Sequence, residues 1–215
     1  MPHRRTTFSK FIIEDQRRRP NPDPELTGLL NDIQTACKFI ASAVSRGALE
    51  AVTHLATGAV ANEIMLRECE WGGKLCGMVS AQIKLPYSIP PAFPRGRYLL
   101  AFDPLEGSSN LDVDVAVGSI FAVLRAADGI SDPTAGEFLQ AGTQQVAAGF
   151  ALYGPTSMIV ITLGAGVHGF TLDREIGAYT LTHADMQIPE QFHEVAIDGS
   201  NERFWEPPVR HYVDE

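Results

Sequence analysis

Ala101-Phe-Asp-Pro-Leu-Glu-Gly-Ser-Ser-Asn-Leu-Asp-Val-Asp-Val-Ala-Val-Gly-Ser-Ile-Phe121 sets four carboxylates and a Gly-Ser-Ser turn between two apolar runs. Tyr98–Phe102 reads as a buried strand, and Pro104 is expected to stop it, so that Asp103 projects from a strand end, where ligands gather in open α/β sheets. Asp103, the Leu105 carbonyl and Glu106 offer the hard oxygen donors that Mg²⁺ takes. Gly107, Ser108 and Ser109 follow with amide and hydroxyl donors suited to a phosphate dianion. Composition alone favours an ordinary Asp-Pro turn followed by an Asx- or Ser-capped loop.

Outward from this stretch, Asp23-Pro24-Glu25 supplies an N-cap, a Pro at the first helical position and an acid in the first turn. Leu29, Leu30, Ile33, Cys37, Ile40, Ala41 and Val44 follow at helical spacing. A second, less regular helical pattern runs from about Glu50 to Glu70 and is closed by Gly72-Gly73. Beyond Met78 the period shortens. Tyr98–Phe102, Ser119–Leu124, Val146–Tyr153, Met158–Leu163, Val167–Leu172 and Tyr179–Thr182 read as strands divided by Gly, Pro and Asp turns. Pro86, Pro90, Pro91 and Pro94 predict loop across residues 84–97. Helices first and strands after indicate a layered α+β (α/β) domain.

The chain has 215 residues, 45% of them hydrophobic and 20% charged, enough to bury a core. A net charge of −9 argues against a nucleic-acid partner. The arginines at 4–5 and 17–19 read as a solvated N-terminal arm over residues 1–22. Cys37, Cys69 and Cys76 lack Cys-x-x-Cys spacing and support neither a disulfide framework nor a zinc site, which fits a reducing, cytoplasmic setting. No apolar stretch reaches a membrane-spanning length, so no membrane partner is expected. Pro207-Pro208, Val209, Tyr212 and Val213 open an amphipathic helix of about two turns that ends with the sequence, suggesting a shortened copy of something longer.

Asp103-Pro-Leu-Glu-Gly-Ser-Ser-Asn-Leu-Asp112 resembles the D-P-L-D-G-S-S-N-I-D signature of the class 1 fructose-1,6-bisphosphatases. The similarity continues through Val117–Phe121, Gln145–Gly154, Gly166–Asp173 and Ser200–Trp205, and backwards from Leu49 to Leu26, in the family's order. It implies the N-terminal domain of that layered fold at residues 23–199, the start of a second, missing domain at 200–215, and an Mg²⁺-dependent phosphomonoesterase ancestry in carbohydrate metabolism. The implied metal positions are Asp103, Leu105 and Glu106, the last replacing an aspartate. Glu106, Gly107, Ser108, Ser109 and Asn201 are the implied sugar-phosphate contacts, with Phe204 where the family has a tyrosine. Thr27, Arg97, Tyr98 and Arg125 match the family's adenosine monophosphate effector site, although Pro24 departs from its glycine-rich loop.

The departures shape the functional expectation. Ala81 and Gln82 stand where the family's V-S-E-E segment has both carboxylates, a mobile acidic loop is missing between Gly47 and Gly58, and its closing aspartate falls at or near Gly58. They imply a fructose-1,6-bisphosphatase-like protein with impaired or lost catalysis, weakened Mg²⁺ binding and residual nucleotide or phosphate binding. Two alternatives stay open: an active Mg²⁺-dependent enzyme hydrolysing fructose 1,6-bisphosphate to fructose 6-phosphate, and a regulatory or structural partner of a full-length relative, with assembly as a homo-oligomer or as a hetero-oligomer with that relative.

Overall fold

The computed structural model describes residues 5–46, 58–113, 115–191, 197 and 199–214. Helices α1 (Phe8–Arg18), α2 (Pro24–Val44) and α3 (Gly58–Glu70) precede the sheet. Strands β1 (Leu75–Ser80), β2 (Tyr87–Ser88), β3 (Tyr98–Glu106), β4 (Val117–Arg125), β5 (Ala147–Tyr153), β6 (Ser157–Thr162), β7 (Val167–Asp173) and β8 (Ala178–His183) follow, with the short helix α4 (Ala135–Phe138) between β4 and β5. Helix α5 (Pro207–Asp214) lies near the C-terminus. Residues 47–57, where the family's acidic loop is expected to be missing and the second helical pattern is expected to begin, lie outside the described residues.

All eight strands form one sheet in the order β2-β1-β3-β4-β5-β6-β7-β8. β1 and β3 are parallel, and the other neighbours are antiparallel. The strands expected from apolar runs are present, and the proline-rich loop additionally contributes β2, which pairs with β1 through Gly77–Ser88 and Met78–Tyr87.

The apolar stripe of α2, with Leu26, Leu29, Leu30, Ile33, Cys37 and Ile40, is buried in the core with Phe121, Val123, Ala151 and Tyr153 of the sheet. Removing one such side chain, as in Leu30→Ala, is worth about 2–5 kcal/mol. All of Cys37, Cys69 and Cys76 are buried free thiols.

The structure corrects two expectations. The first concerns the arm at residues 1–22: it carries α1, which buries Phe8 and Ile12 completely, sets Phe8 edge-on to Phe170 at 5.1 Å and joins the sheet through a Thr7–Thr180 bridge. The arginines at 17–19 mark the end of this amphipathic helix, not a solvated tail. Second, Pro104 does not stop the strand. β3 continues to Glu106 across a register shift between Asp103 and Glu106, where an irregular ladder accommodates a residue without an N–H.

Because side chains alternate along a strand, the opposite face of β3 to β7 is another surface. An open concavity of about 610 Å³ lies there, lined by Asp103, Ile120, Phe150, Val160, Thr162 and Val167 among others. Ile120 and Phe150, register partners across β4 and β5, remain 56% and 39% exposed. Towards β1 this face is covered by a small cluster of Cys76, Leu99, Leu124 and Ala126 packed with Ile130 and Phe138.

Candidate functional site

Strand β3 carries a polar cluster at each end. At its C-terminal end, Ser80 of β1 is in register with Phe102, and the next amide, Ala81 N–H, donates to the Phe102 carbonyl at 3.1 Å. The ends of two parallel strands thus set Ala81 alongside Asp103. Asp103 is half-buried, and its Oδ1 accepts the Leu105 N–H at 3.2 Å, which turns the chain through Pro104. Ser119 Oγ donates to the Pro104 carbonyl at 2.7 Å and lies 2.8 Å from the Tyr153 hydroxyl, anchoring the irregular segment to the core. Leu105 is buried, while Glu106 emerges into solvent.

The turn beyond Glu106 depends on Gly107, whose φ of +76° is left-handed. Asn110 N–H donates to the Gly107 carbonyl at 2.8 Å, starting a 3-10 helix over Ser108–Val113 with Ser108 and Ser109 exposed. One local turn therefore gathers Asp103, Leu105, Glu106, Gly107, Ser108 and Ser109. Asn201 sits in a separate exposed 3-10 helix, Gly199–Phe204, next to the exposed Phe204.

These oxygens are of the kind Mg²⁺ selects. Asp103, Glu106 and the Leu105 carbonyl are a partial fit only, because among the described residues no three of His, Cys, Asp and Glu come together to hold a metal ion. Beside them Ala81 contributes no donor side chain, and Gln82 contributes a neutral amide whose backbone N–H is tied to Ser80 Oγ at 3.2 Å.

At the N-terminal end of β3 the sequence-distant Thr27, Arg97, Tyr98 and Arg125 do converge. Tyr98 and Arg125 are register partners across β3 and β4, and Arg125 Nη2 reaches the Tyr98 hydroxyl at 3.2 Å, with its guanidinium 5.2 Å from the ring centroid. Their common partner is Asp23, the N-cap of α2. Its carboxylate accepts from the Glu25 and Leu26 amides at 3.1 and 3.2 Å, from Arg97 at 2.9 Å, from Arg125 at 3.3 Å and from the Tyr98 hydroxyl. Thr27 Oγ1 donates to the Asp23 carbonyl at 3.3 Å, and Glu25 takes a second edge of Arg97 at 3.2 Å. From the sequence, Asp23 reads only as a helix cap. The signal available was an acid four residues before Thr27, but nothing local announces its partners on β3 and β4.

Burial pulls the Asp23 carboxyl upward, yet the Tyr98 hydroxyl, the Leu26 amide and Arg97 outweigh it and hold the group below its ordinary value. Burial and the same Asp23 contact push the Tyr98 phenol well up.

A family model described as "Fructose-1-6-bisphosphatase, N-terminal domain" matches residues 6–184. The chain belongs to the fructose-1,6-bisphosphatase family. It is 53% identical to "Fructose-1,6-bisphosphatase class 1" of Methylacidiphilum infernorum and 50% identical to the protein of that name from Hydrogenophilus thermoluteolus, covering 100% and 97% of this chain. Those alignments take in 63% and 62% of the relatives, so the chain spans under two thirds of their length. Among solved structures, Leishmania major fructose-1,6-bisphosphatase in its apo form gives a TM-score of 0.84 at 31% identity, covering 98% of this chain and 67% of that one. The same enzyme in its T-state gives 0.85 at 32%, with the same coverage. The N-terminal fructose-1,6-bisphosphatase fold expected from the signature is thereby established, and the matched region includes α1.

Proposed function

We propose that this fructose-1,6-bisphosphatase-like chain retains the phosphate turn of its family but has strongly impaired phosphomonoesterase activity. The observation that carries this reading is the position of Ala81 against Asp103, at the paired ends of β1 and β3. Hydrolysis of a phosphate monoester needs a nucleophilic water, neutralisation of the phosphoryl oxygens and stabilisation of the leaving alkoxide, chemistry that Mg²⁺ supplies when bound. Asp103, the Leu105 carbonyl and Glu106 would hold such an ion. Gly107, Ser108 and Ser109 would orient the phosphate through amide and hydroxyl donors, and Asn201 would contact the sugar.

The donor set is short of negative charge. Ala81 and Gln82 bring none to the strand ends, and Glu106 carries its carboxylate one methylene further than an aspartate would, while octahedral Mg²⁺ tolerates little displacement. Losing one group that stabilises transition-state charge typically lowers turnover about 10²–10³-fold. Phosphate release from fructose 1,6-bisphosphate by the purified protein, with and without Mg²⁺, is the test. Negligible turnover is expected, whereas Mg²⁺-dependent turnover comparable to that of a full-length class 1 relative would overturn the reading.

A second reading rests on a separate observation, the convergence of Thr27, Arg97, Tyr98 and Arg125. Two guanidinium groups, a phenol and a helix N-terminus suit the phosphate of a nucleoside monophosphate such as adenosine monophosphate. Calorimetry with that nucleotide on wild type and Arg125→Ala tests it. Weak binding that disappears in the variant is expected, and no heat, or unchanged affinity in the variant, would retire it.

A further inference from the structure

The donors at the N-terminus of α2 are arranged as an oxyanion site, and the chain fills that site with its own carboxylate. Amides of Glu25 and Leu26, the guanidinium groups of Arg97 and Arg125 and the Tyr98 hydroxyl, contributed by α2, β3, β4 and the residue preceding β3, all point at Asp23. The Asp23 side chain is only 13% exposed, while those of Arg97 and Arg125 are each 48% exposed. The anion lies inside and the cations face solvent. A helix needs only a single side-chain acceptor for its cap, so the two arginines and the tyrosine exceed what capping requires. Charge-assisted, multidentate donors of this kind match a phosphate monoester dianion.

Pro24 explains why Asp23 stays there. A residue before proline is driven out of the helical region into extended backbone, and Asp23 has φ −120° and ψ 97°. In that conformation its side chain folds back over the first turn, and Pro24, at the first helical position, gives up an amide that would otherwise face an anion. The dipeptide removes a donor and supplies an occupant together.

We propose that Asp23-Pro24 is an autoinhibitory contact in which the Asp23 carboxylate stands in for a phosphate, so that a phosphate monoester binds only by expelling it. The inference rests on the second reading above, that this cluster is an oxyanion site. An occupant on the same chain competes at a fixed, high effective concentration, and the apparent affinity of a free ligand falls by the fraction of molecules in which the position is open.

Asp23→Asn and Asp23→Ser test the contact, since both residues are good N-caps and keep α2 closed while removing the charge or vacating the position. Inorganic phosphate and adenosine monophosphate are each titrated by calorimetry into wild type, both variants, and Asp23→Ser/Arg125→Ala, with circular dichroism confirming the fold. Affinity for both probes at least about tenfold tighter in the single variants, and lost again in the double variant, is expected. Tightening for inorganic phosphate with no binding of the nucleotide would keep the lock and overturn the nucleotide reading. Nucleotide binding that depends on Arg125 but is equally tight with and without Asp23 would overturn the lock and keep the site. No binding of either probe to any folded variant would overturn both.

Discussion

Gly58 and Gln82 face each other at the mouth of the β1–β3 strand ends: a Cβ built on Gly58 would lie 3.1 Å from Gln82 Nε2. The family resemblance leads one to expect an acid at Gln82 and another at or near Gly58. In this chain a glycine and a neutral amide meet instead, and the negative charge that would concentrate a divalent cation between α3 and the sheet is absent from both sides of the contact.

Charge restoration should therefore act on binding before it acts on rate. Ala81→Glu combined with Gln82→Glu is expected to tighten Mg²⁺ binding at least about tenfold in a calorimetric titration, because each carboxylate is a strong hard-cation donor. Turnover of fructose 1,6-bisphosphate should stay far below that of a full-length relative, since Gly58 and the longer Glu106 are unchanged. Full activity from that pair alone would show that the other departures matter little.

Lys74 and Asp32 form an ion pair of 2.7 Å with side chains 17% and 11% exposed. The lysine is wedged where a Cβ on Gly28 would come within 2.5 Å of its Cε. Burial raises the Asp32 carboxyl despite Lys74, the mark of a pair whose desolvation outweighs its attraction. Lys74→Met alone should destabilise the fold by about 3 kcal/mol in urea unfolding, by leaving a buried charge uncompensated. Adding Asp32→Leu should recover most of that loss, and a double variant no more stable than the single would contradict the account.

Alkaline stability has a defined contributor in Tyr87. Burial, and then the hydrogen bond it donates to Glu70, push its phenol up from 10.0 to about 12. The unfolded chain loses this proton first, so the contribution is complete below pH about 10 and drains away as pH climbs to about 12. Tyr87→Phe should flatten that part of the urea-midpoint profile without changing its shape near neutrality. A profile of unaltered slope between those limits would rule Tyr87 out as a contributor.

The uncovered face of β4 and β5 favours self-association. Sedimentation should show concentration-dependent oligomers, and Ile120→Lys, placing a charge at the most exposed apolar position of the concavity, should shift the distribution towards monomer. A compact, reversible monomer at millimolar concentration would exclude this role for the face.

Much of the sheet was legible because each strand from Tyr98 onward is a short apolar run ended by glycine, proline or aspartate. Pro104 misleads, since whether a proline ends a strand or sits at an irregularity depends on Ser119 and Tyr153, which hold the displaced carbonyl from elsewhere in the chain. Helix α1 was hidden by its arginines, which dominate the charge pattern while Phe8 and Phe11 find their partners, Phe170 and His168, on β7. The phosphate turn could be read as a unit because its residues are contiguous. Asp23 could not be placed in the second cluster, because the pairing that brings Arg125 to Tyr98 is a property of the β3–β4 ladder and not of local spacing.

Connectivity also sets the order in which this molecule can be assembled. From β4 onward every strand pairs with the one just before it in the chain, so this part of the sheet grows by closing local loops. The N-terminal segment is different: Arg5 meets Asp173 at 2.6 Å across 168 residues, and Thr7 bridges to Thr180. During synthesis at roughly 5–20 residues per second, Phe8 and Phe11 wait on the order of ten to thirty seconds for the strand they pack on to exist. Helix α1 is made well before the sheet edge it covers, and that interval is when a nascent chain would most need a chaperone.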